Sequence, residues 1–279
     1  MTAVALAATD VVDDPDAPLL LAALGALRIE ATTVAWADDT VDWARFDATV
    51  IRSTWDYPMA HARFLAWASR VPNLVNPADV VTWNSDKRYL AELAAAGVPT
   101  IPTTYATSGA DAVLPAGPVV VKPTVAGGSR GAARFDGHDH DRARAHVDAL
   151  AALDLEAMVQ PLVASVAADG ETDVVVIDGS VSHAVVKHAP IGLEATDEPT
   201  GPTRVAVVDP DAAQRQLVDQ VLSALPFDAP LCYARVDLVA LASGPAVIEV
   251  ELIEPFLFLG EDPDAAHRLA TAIAARVAR

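Results

Sequence analysis

Cysteine and lysine are nearly absent from this chain of 279 residues: Cys232 is the single cysteine, and Lys87, Lys122 and Lys187 are the only lysines. One cysteine forms no intramolecular disulfide, which suits a reducing compartment, and its flanks, Leu231-Cys232-Tyr233-Ala234, read as a buried strand. Basic residues number 19 against 38 acidic ones, for a formal net charge of −19. Nucleic acid is not expected as a partner, since binding it requires basic surface that displaces counterions from phosphates. No apolar run reaches the length of a membrane span, and Met1–Asp10 has no basic residue ahead of its short apolar stretch. The expectations are therefore no membrane partner, no secretory leader and a cytoplasmic location. Aromatic residues make up only 5% of the chain, but hydrophobic residues reach 52%, enough for two or three lobes with cores of their own.

The first 80 or so residues alternate short apolar strands with helical patterns: Val4–Ala8, Pro18–Leu27, Ile29–Ala35, Ala48–Arg52, His61–Ser69 and Leu74–Val75. That order predicts a small parallel α/β lobe over residues 1–84, with the loops at Asp13-Asp14-Pro15 and 52–58 at the ends where open α/β sheets place ligands. A helix from Ser85 or Asp86 to Ala96, stopped by Gly97, opens a second unit over 85–156. That unit holds the strand Val119–Lys122, the glycine-rich segment Gly127-Gly128-Ser129-Arg130-Gly131, a short run at Ala132–Phe135 and a helix at Asp139–Leu153. The third unit, 157–279, is mainly strands, with a tight turn at Asp178-Gly179 and helices at Asp211–Leu225 and Pro263–Val277.

Chemistry concentrates in two of those strands. In Tyr233-Ala-Arg-Val-Asp-Leu-Val, the two-residue period puts Arg235 and Asp237 on one face, and in Val247-Ile-Glu-Val-Glu-Leu-Ile it puts Glu249 and Glu251 together. Ser243-Gly244-Pro245 between them is a turn signal, so a hairpin is expected. One face then gathers three carboxylates and an arginine, either as a solvated strand surface or as a site for a hard cation such as magnesium, which relieves the repulsion. Lys122 ends a strand just before the glycine segment, where its cation can reach a phosphate that backbone N–H groups wrap; Lys187 ends another strand. The glycine segment fits neither dinucleotide-binding nor Walker patterns and gains weight only from these neighbours. His183 and His188 read as surface residues rather than catalytic ones.

This order of motifs resembles the ATP-grasp superfamily, closest to its glutathione-synthetase-like and D-alanine–D-alanine-ligase-like members, with good order from Val80 to Leu259. The resemblance implies an α+β and α/β fold in which a small N-terminal lobe precedes two α+β lobes that clasp ATP. It assigns Lys87 and Lys122 to the nucleotide phosphates, Gly127, Gly128, Ser129 and Gly131 to a phosphate lid, the stretch from Met158 through Gln160 to Leu162 to an adenine-binding hinge, and Glu171 to the ribose side. Lys187, Arg204 and Arg235 become the catalytic cations, and Asp237, Glu249 and Glu251 the ligands of two Mg2+ ions, with Mn2+ as an allowed substitute. The family often has Glu-x-Asn at the last pair, whereas this chain has Glu249-Val250-Glu251, whose extra carboxylate still suits magnesium. The Trp55-Asp56-Tyr57 loop and the tail Ile253-Glu254-Pro255-Phe256-Leu257-Phe258 resemble a narrower branch, D-cycloserine synthetase and its relatives.

The activity so implied is an ATP-dependent, ADP-forming ligase that joins a small-molecule carboxylate to an amine through an acyl phosphate. Arg52 and Tyr57 are the candidates for holding substrate, and a homodimer is one assembly the sequence allows. Two rival readings are ring closure within one molecule, as in cycloserine synthesis, and a nucleotide-binding module without turnover.

Overall fold

The computed structural model describes residues 2–10, 13–188, 204–227 and 231–277. Strands β1 (Ala3–Ala8), β2 (Glu30–Ala35), β3 (Ala48–Ser53) and β4 (Leu74–Val75) form a parallel sheet in the order β2-β1-β3-β4, with helices α1 (Ala17–Ala26) and α2 (His61–Ala68) between them. The predicted elements are recovered within a few residues. The fully buried runs of β1 and β3 explain why they read as continuous apolar stretches, since a parallel sheet is covered on both faces.

The stretch expected as one helix from residue 85 differs. Helix α3 (Ala78–Asn84) ends at Ser85, and α4 (Tyr89–Ala95) starts afresh, so Ser85–Arg88 is a corner. That corner brings Lys87 against the glycine segment, where its amide donates to the Thr124 carbonyl at 2.9 Å. A four-stranded antiparallel sheet follows, in the order β5-β8-β6-β7: β5 (Thr104–Ala106), β6 (Val119–Pro123), β7 (Ala133–Phe135) and, after helix α5 (His140–Ala151), β8 (Ala157–Pro161). This sheet therefore runs on past residue 156.

After helix α6 (Ala164–Asp169), a five-stranded antiparallel sheet has the order β11-β10-β9-β12-β13. Its strands are β9 (Glu171–Ile177), β10 (Ser180–His188), β11 (Arg204–Val208), β12 (Tyr233–Leu241) and β13 (Gly244–Glu251), with α7 (Ala212–Ala224) between β11 and β12 and α8 (Ala265–Val277) closing the chain. One face, with Val174, Val176, Val236, Leu238 and Val250, packs on α4 and α7. The other face carries Val175, Ile177, Val185 and Tyr233 against α1 of the N-terminal lobe and the C-terminal helix α8. Toward its far end this second face turns polar, and there the functional side chains stand.

Strand β13 lies at the sheet edge, where unpaired backbone groups need cover. Asn84 supplies it, donating to the Val250 carbonyl at 2.8 Å and accepting from the Leu252 amide at 2.7 Å, while the Tyr89 hydroxyl accepts from the Val250 amide at 2.9 Å. Asn76, in a left-handed conformation at φ 57°, ties down the other side of the same corner. Its Nδ2 donates to the carbonyls of Tyr233 and Leu252, each at 2.8 Å, and its Oδ1 accepts from the Cys232 amide at 2.9 Å. Asn76→Ala strands three buried backbone groups and forces alanine into a strained backbone. Denaturant titration is expected to show a loss of about 3 kcal/mol. Cys232 is buried, as expected, and burial pushes its thiol up to about 12.

Candidate active site

The expected hairpin is present, and its register pairs Arg235 with Glu251 and Asp237 with Glu249. The fold then adds a strand that no local pattern placed there: β9 lies on the other side of β12 and sets Asp173 opposite Asp237. Next to it, Glu171 pairs with Lys187 across β9 and β10. The polar end of the face thus takes residues from four adjacent strands.

Cations hold these acids apart. Arg235 donates to both oxygens of Asp237 at 2.7 and 2.8 Å, to Glu251 at 2.7 Å and to the Phe256 carbonyl at 3.1 Å. Lys187 Nζ lies 3.0 Å from Asp237, 2.9 Å from Asp173 and 3.3 Å from Glu171. These are the three acids whose oxygens come within 4.8 Å of one another on this sheet, and the ammonium sits among them. Lys87 Nζ is 3.2 Å from Glu249 and also donates to the Ala126 carbonyl at the start of the glycine segment. Burial lowers the Lys122 ammonium from its ordinary value; Glu249 opposes the shift, and Lys87 reinforces it.

The two facing aspartates diverge. Burial would raise both, but Arg235 and Lys187 hold Asp237 well below the usual carboxylate range. For Asp173, burial and the charge on Asp237 win, and its carboxyl titrates at about 8. Neither Asp173 oxygen has an aligned hydrogen bond. Because the folded value lies above the ordinary 3.8, the proton on Asp173 favours the folded state. That contribution is complete in acid and lost as pH rises through about 8. Asp173→Asn should therefore flatten the fall in melting temperature of the ligand-free protein between about pH 4 and pH 8, as read by calorimetry.

The remaining expected residues are distributed as follows. Gly127–Gly131 folds over the cleft as a tight turn, with Gly128, Ser129 and Gly131 at φ values of 61°, 60° and 71°. At Gly131 the positive φ favours glycine, and a Cβ would also lie in tight contact, 3.2 Å from the Pro123 ring. Gln160 is buried and donates to the Thr103 hydroxyl at 2.9 Å, and the Leu162 amide is taken by the Pro118 carbonyl at 2.9 Å. Tyr57 stacks on Phe64 at 4.7 Å and lines a small cavity with Lys87, Gly127, Glu249, Glu251 and Glu254.

Two expected residues stand apart. Arg204 pairs with His188 on β11, so strand alternation puts it on the sheet face opposite Lys187. Arg52, 1% exposed, lies 3.6 and 3.8 Å from Asp14 and Asp16 and donates to the Pro255 carbonyl, so its partners are in the N-terminal lobe and the tail. His183 is buried, not on the surface: its Nε2 is 2.9 Å from the Leu257 carbonyl. Glu254 joins the site without having been expected there, because it lies in coil beyond β13 where no periodicity marks it.

Glu171, Asp173, Asp237, Glu249, Glu251 and Glu254 bring six carboxylates to the cleft, against the four cations Lys87, Lys122, Lys187 and Arg235. The surplus shows in the individual groups. Burial, with Asp237 and Glu249, raises Glu251, while burial with Glu251 and Glu249 raises Glu254 well above its usual range. An all-oxygen donor set short of positive charge fits Mg2+.

The three-sheet arrangement with this cleft is the ATP-grasp fold. It is shared with an ATP-grasp RimK domain protein from Sphaerobacter thermophilus (TM-score 0.70, 21% identity, 98% of this chain and 100% of that one). It is also shared with D-alanine–D-alanine ligase from Bacillus anthracis complexed with ATP (TM-score 0.69, 16% identity, 100% and 98%). Within that class, the family pattern described as the N-terminal domain of D-cycloserine synthetase DcsG matches residues 4–76. The crystal structure of D-cycloserine synthetase DcsG superposes with a TM-score of 0.91 at 38% identity, over 99% of each chain. With 42% identity over 283 residues to the cycloserine biosynthesis protein DcsG of Streptomyces lavendulae, covering 95% of this chain and 94% of that one, the chain belongs to the DcsG family of ATP-grasp ligases. It is an ATP-dependent ligase.

Proposed function

We propose that the chain closes a ring: it phosphorylates the carboxylate of a small amino-acid-like substrate with ATP, and a nitrogen of the same molecule attacks the acyl phosphate. The observation that carries ring closure over ligation of a separate amine is the 42% identity, spread over nearly the whole chain, to a cycloserine biosynthesis protein. The nitrogen forms a C–N bond to the carbonyl carbon, phosphate leaves with the former C–O bond pair, and the nitrogen loses a proton. No protein nucleophile is needed.

Phosphoryl transfer is chiefly positioning and charge neutralisation. Asp237, Glu249 and Glu251 are the residues that would hold Mg2+, which when bound neutralises charge on the phosphate oxygens. Lys87 and Lys122, with the glycine segment, would grip the phosphates, and Arg235 and Lys187 would face the transferring group. Lys87, Lys187 and Arg235 are already paired with acids of the cleft, so they are aimed before substrate arrives. In this assignment Lys122→Ala raises the KM for ATP at least tenfold and leaves the KM for the carboxylate substrate nearly unchanged, as steady-state ADP release would measure.

Screening ADP release across amino acids, dipeptides and O-ureidoserine, with product masses for the hits, tests the reading. A cyclic product formed without a second substrate is expected. A linear amide that requires an added amine would instead establish ligation between two molecules.

A further inference from the structure

The coil after β13 is held nearly residue by residue. The hydroxyl of Tyr233 donates to the Ile253 carbonyl at 2.9 Å, Trp55 Nε1 to that of Glu254 at 3.1 Å, Arg52 to that of Pro255 at 3.3 Å and Arg235 to that of Phe256 at 3.1 Å. Asp16 accepts from the amides of Leu257 and Leu259 at 3.1 and 2.9 Å. Side chains from the N-terminal lobe and from β12 thus converge on the coil Ile253–Leu259. Their joint effect is to fix where its one ionisable side chain, Glu254, is aimed.

It is aimed into the cavity beneath the glycine segment, with Glu254 Oε1 4.0 Å from where a Cβ on Gly127 would stand. The cavity measures about 20 Å³, room for one group the size of a water molecule or an ammonium head. Of the acids that line it, Glu249 has Lys87 at 3.2 Å and Glu251 has Arg235 at 2.7 Å, whereas Glu254 has no ion pair among the described residues. Beside it the hydroxyl of Tyr57, a residue only 4% exposed, has no hydrogen-bond partner among the described residues. The hydroxyl can therefore bond a group placed in the cavity.

We infer that Glu254, together with the Tyr57 hydroxyl, receives the ammonium group of the substrate and so selects amino acids over simple carboxylic acids. This rests on the reading of the substrate as amino-acid-like. It goes beyond that reading in naming the group recognised and the residue that recognises it. The distinction from the metal ligands is positional: Asp237, Glu249 and Glu251 stand on sheet strands, while Glu254 is presented by a coil anchored to the other lobe.

Calorimetric binding of O-ureidoserine and of its analogue lacking the α-amino group, each with a non-hydrolysable ATP analogue and Mg2+, tests the assignment. Wild type should prefer the amine-bearing compound by about tenfold or more, as a charge-assisted contact implies. Glu254→Gln should erase the preference while Mn2+ affinity stays unchanged. No preference in the wild type, or a preference that survives in the variant, overturns the assignment. A drop in Mn2+ affinity would make Glu254 a metal ligand and overturn it as well. Should Glu254→Gln fail to fold, Tyr57→Phe keeps the stack on Phe64 and is read with the same two compounds; a severalfold loss of preference is expected, and an unchanged one contradicts the role. Ring closure is read by product mass and recognition by binding, so either can fail alone.

Discussion

Glu249→Gln is expected to fold normally and to lower turnover by roughly a hundred- to a thousandfold, the loss typical when one electrostatic stabiliser of a charged transition state is removed. The substitution keeps the shape of the side chain and deletes its charge. In the resting structure that charge holds Lys87 in the cleft, and in return Lys87 and Lys122 overcome burial and keep the Glu249 carboxyl below its ordinary range. Glu249 is partly exposed, and because Lys87 and Lys122 hold its carboxyl below the ordinary value its charge contributes modestly to stability at neutral pH, so the variant should fold with a small drop in melting temperature. Bound to a metal, however, it has no neutral substitute. Melting temperature and single-turnover ADP formation, measured on the same preparation, separate the two effects. An unfolded variant, or one with turnover intact, contradicts the role.

Arg235→Met should behave in the opposite sense, with a large loss of stability as well as of activity. The guanidinium is 6% exposed and is shared among Asp237, Glu251 and the Phe256 carbonyl, with Asp173 3.5 Å away. Removing one member of a buried ionic network leaves uncompensated charge and typically costs about 3 to 5 kcal/mol. The cost should depend on pH. Against the burial that would raise it, Asp237 owes its depressed titration first to Arg235, and a depressed carboxylate contributes stability at neutral pH that is lost in acid. The variant is therefore expected to lose most of its stability difference from wild type as pH falls through and below the ordinary carboxylate range. Denaturant titrations at neutral and acid pH check this, and a pH-independent difference would mean that packing, not charge, accounts for the loss.

The contrast between local and long-range order marks what a sequence can disclose. Strand alternation is a local rule, and by itself it places Arg235, Asp237, Glu249 and Glu251 on one face. The turn at Ala242-Ser243, just before the expected Gly244-Pro245, makes their strands neighbours, and the register then pairs them directly. Asp173 follows the same alternation, but its role depends on β9 lying beside β12, a pairing between strands far apart in the chain. No local pattern encodes that pairing. Arg204 illustrates the same limit: its strand is legible, yet the register with β10 decides the face, and it falls opposite Lys187. Arg52 sits at the end of a parallel strand, where a ligand-binding role is the natural expectation, whereas in the fold Asp14, Asp16 and the Pro255 carbonyl occupy it. Glu254 lies in coil, where position is set entirely by tertiary hydrogen bonds.

The most direct test of the acidic face as the metal and nucleotide site is anomalous diffraction from crystals grown with Mn2+ and a non-hydrolysable ATP analogue. Manganese peaks about 2.2 Å from carboxylate oxygens of Asp237, Glu249 and Glu251 are predicted, with the phosphates beneath Gly127–Gly131. Peaks confined to the other acidic cluster, Asp136, His138 and Asp139, or nucleotide bound away from Lys87 and Lys122, would contradict it.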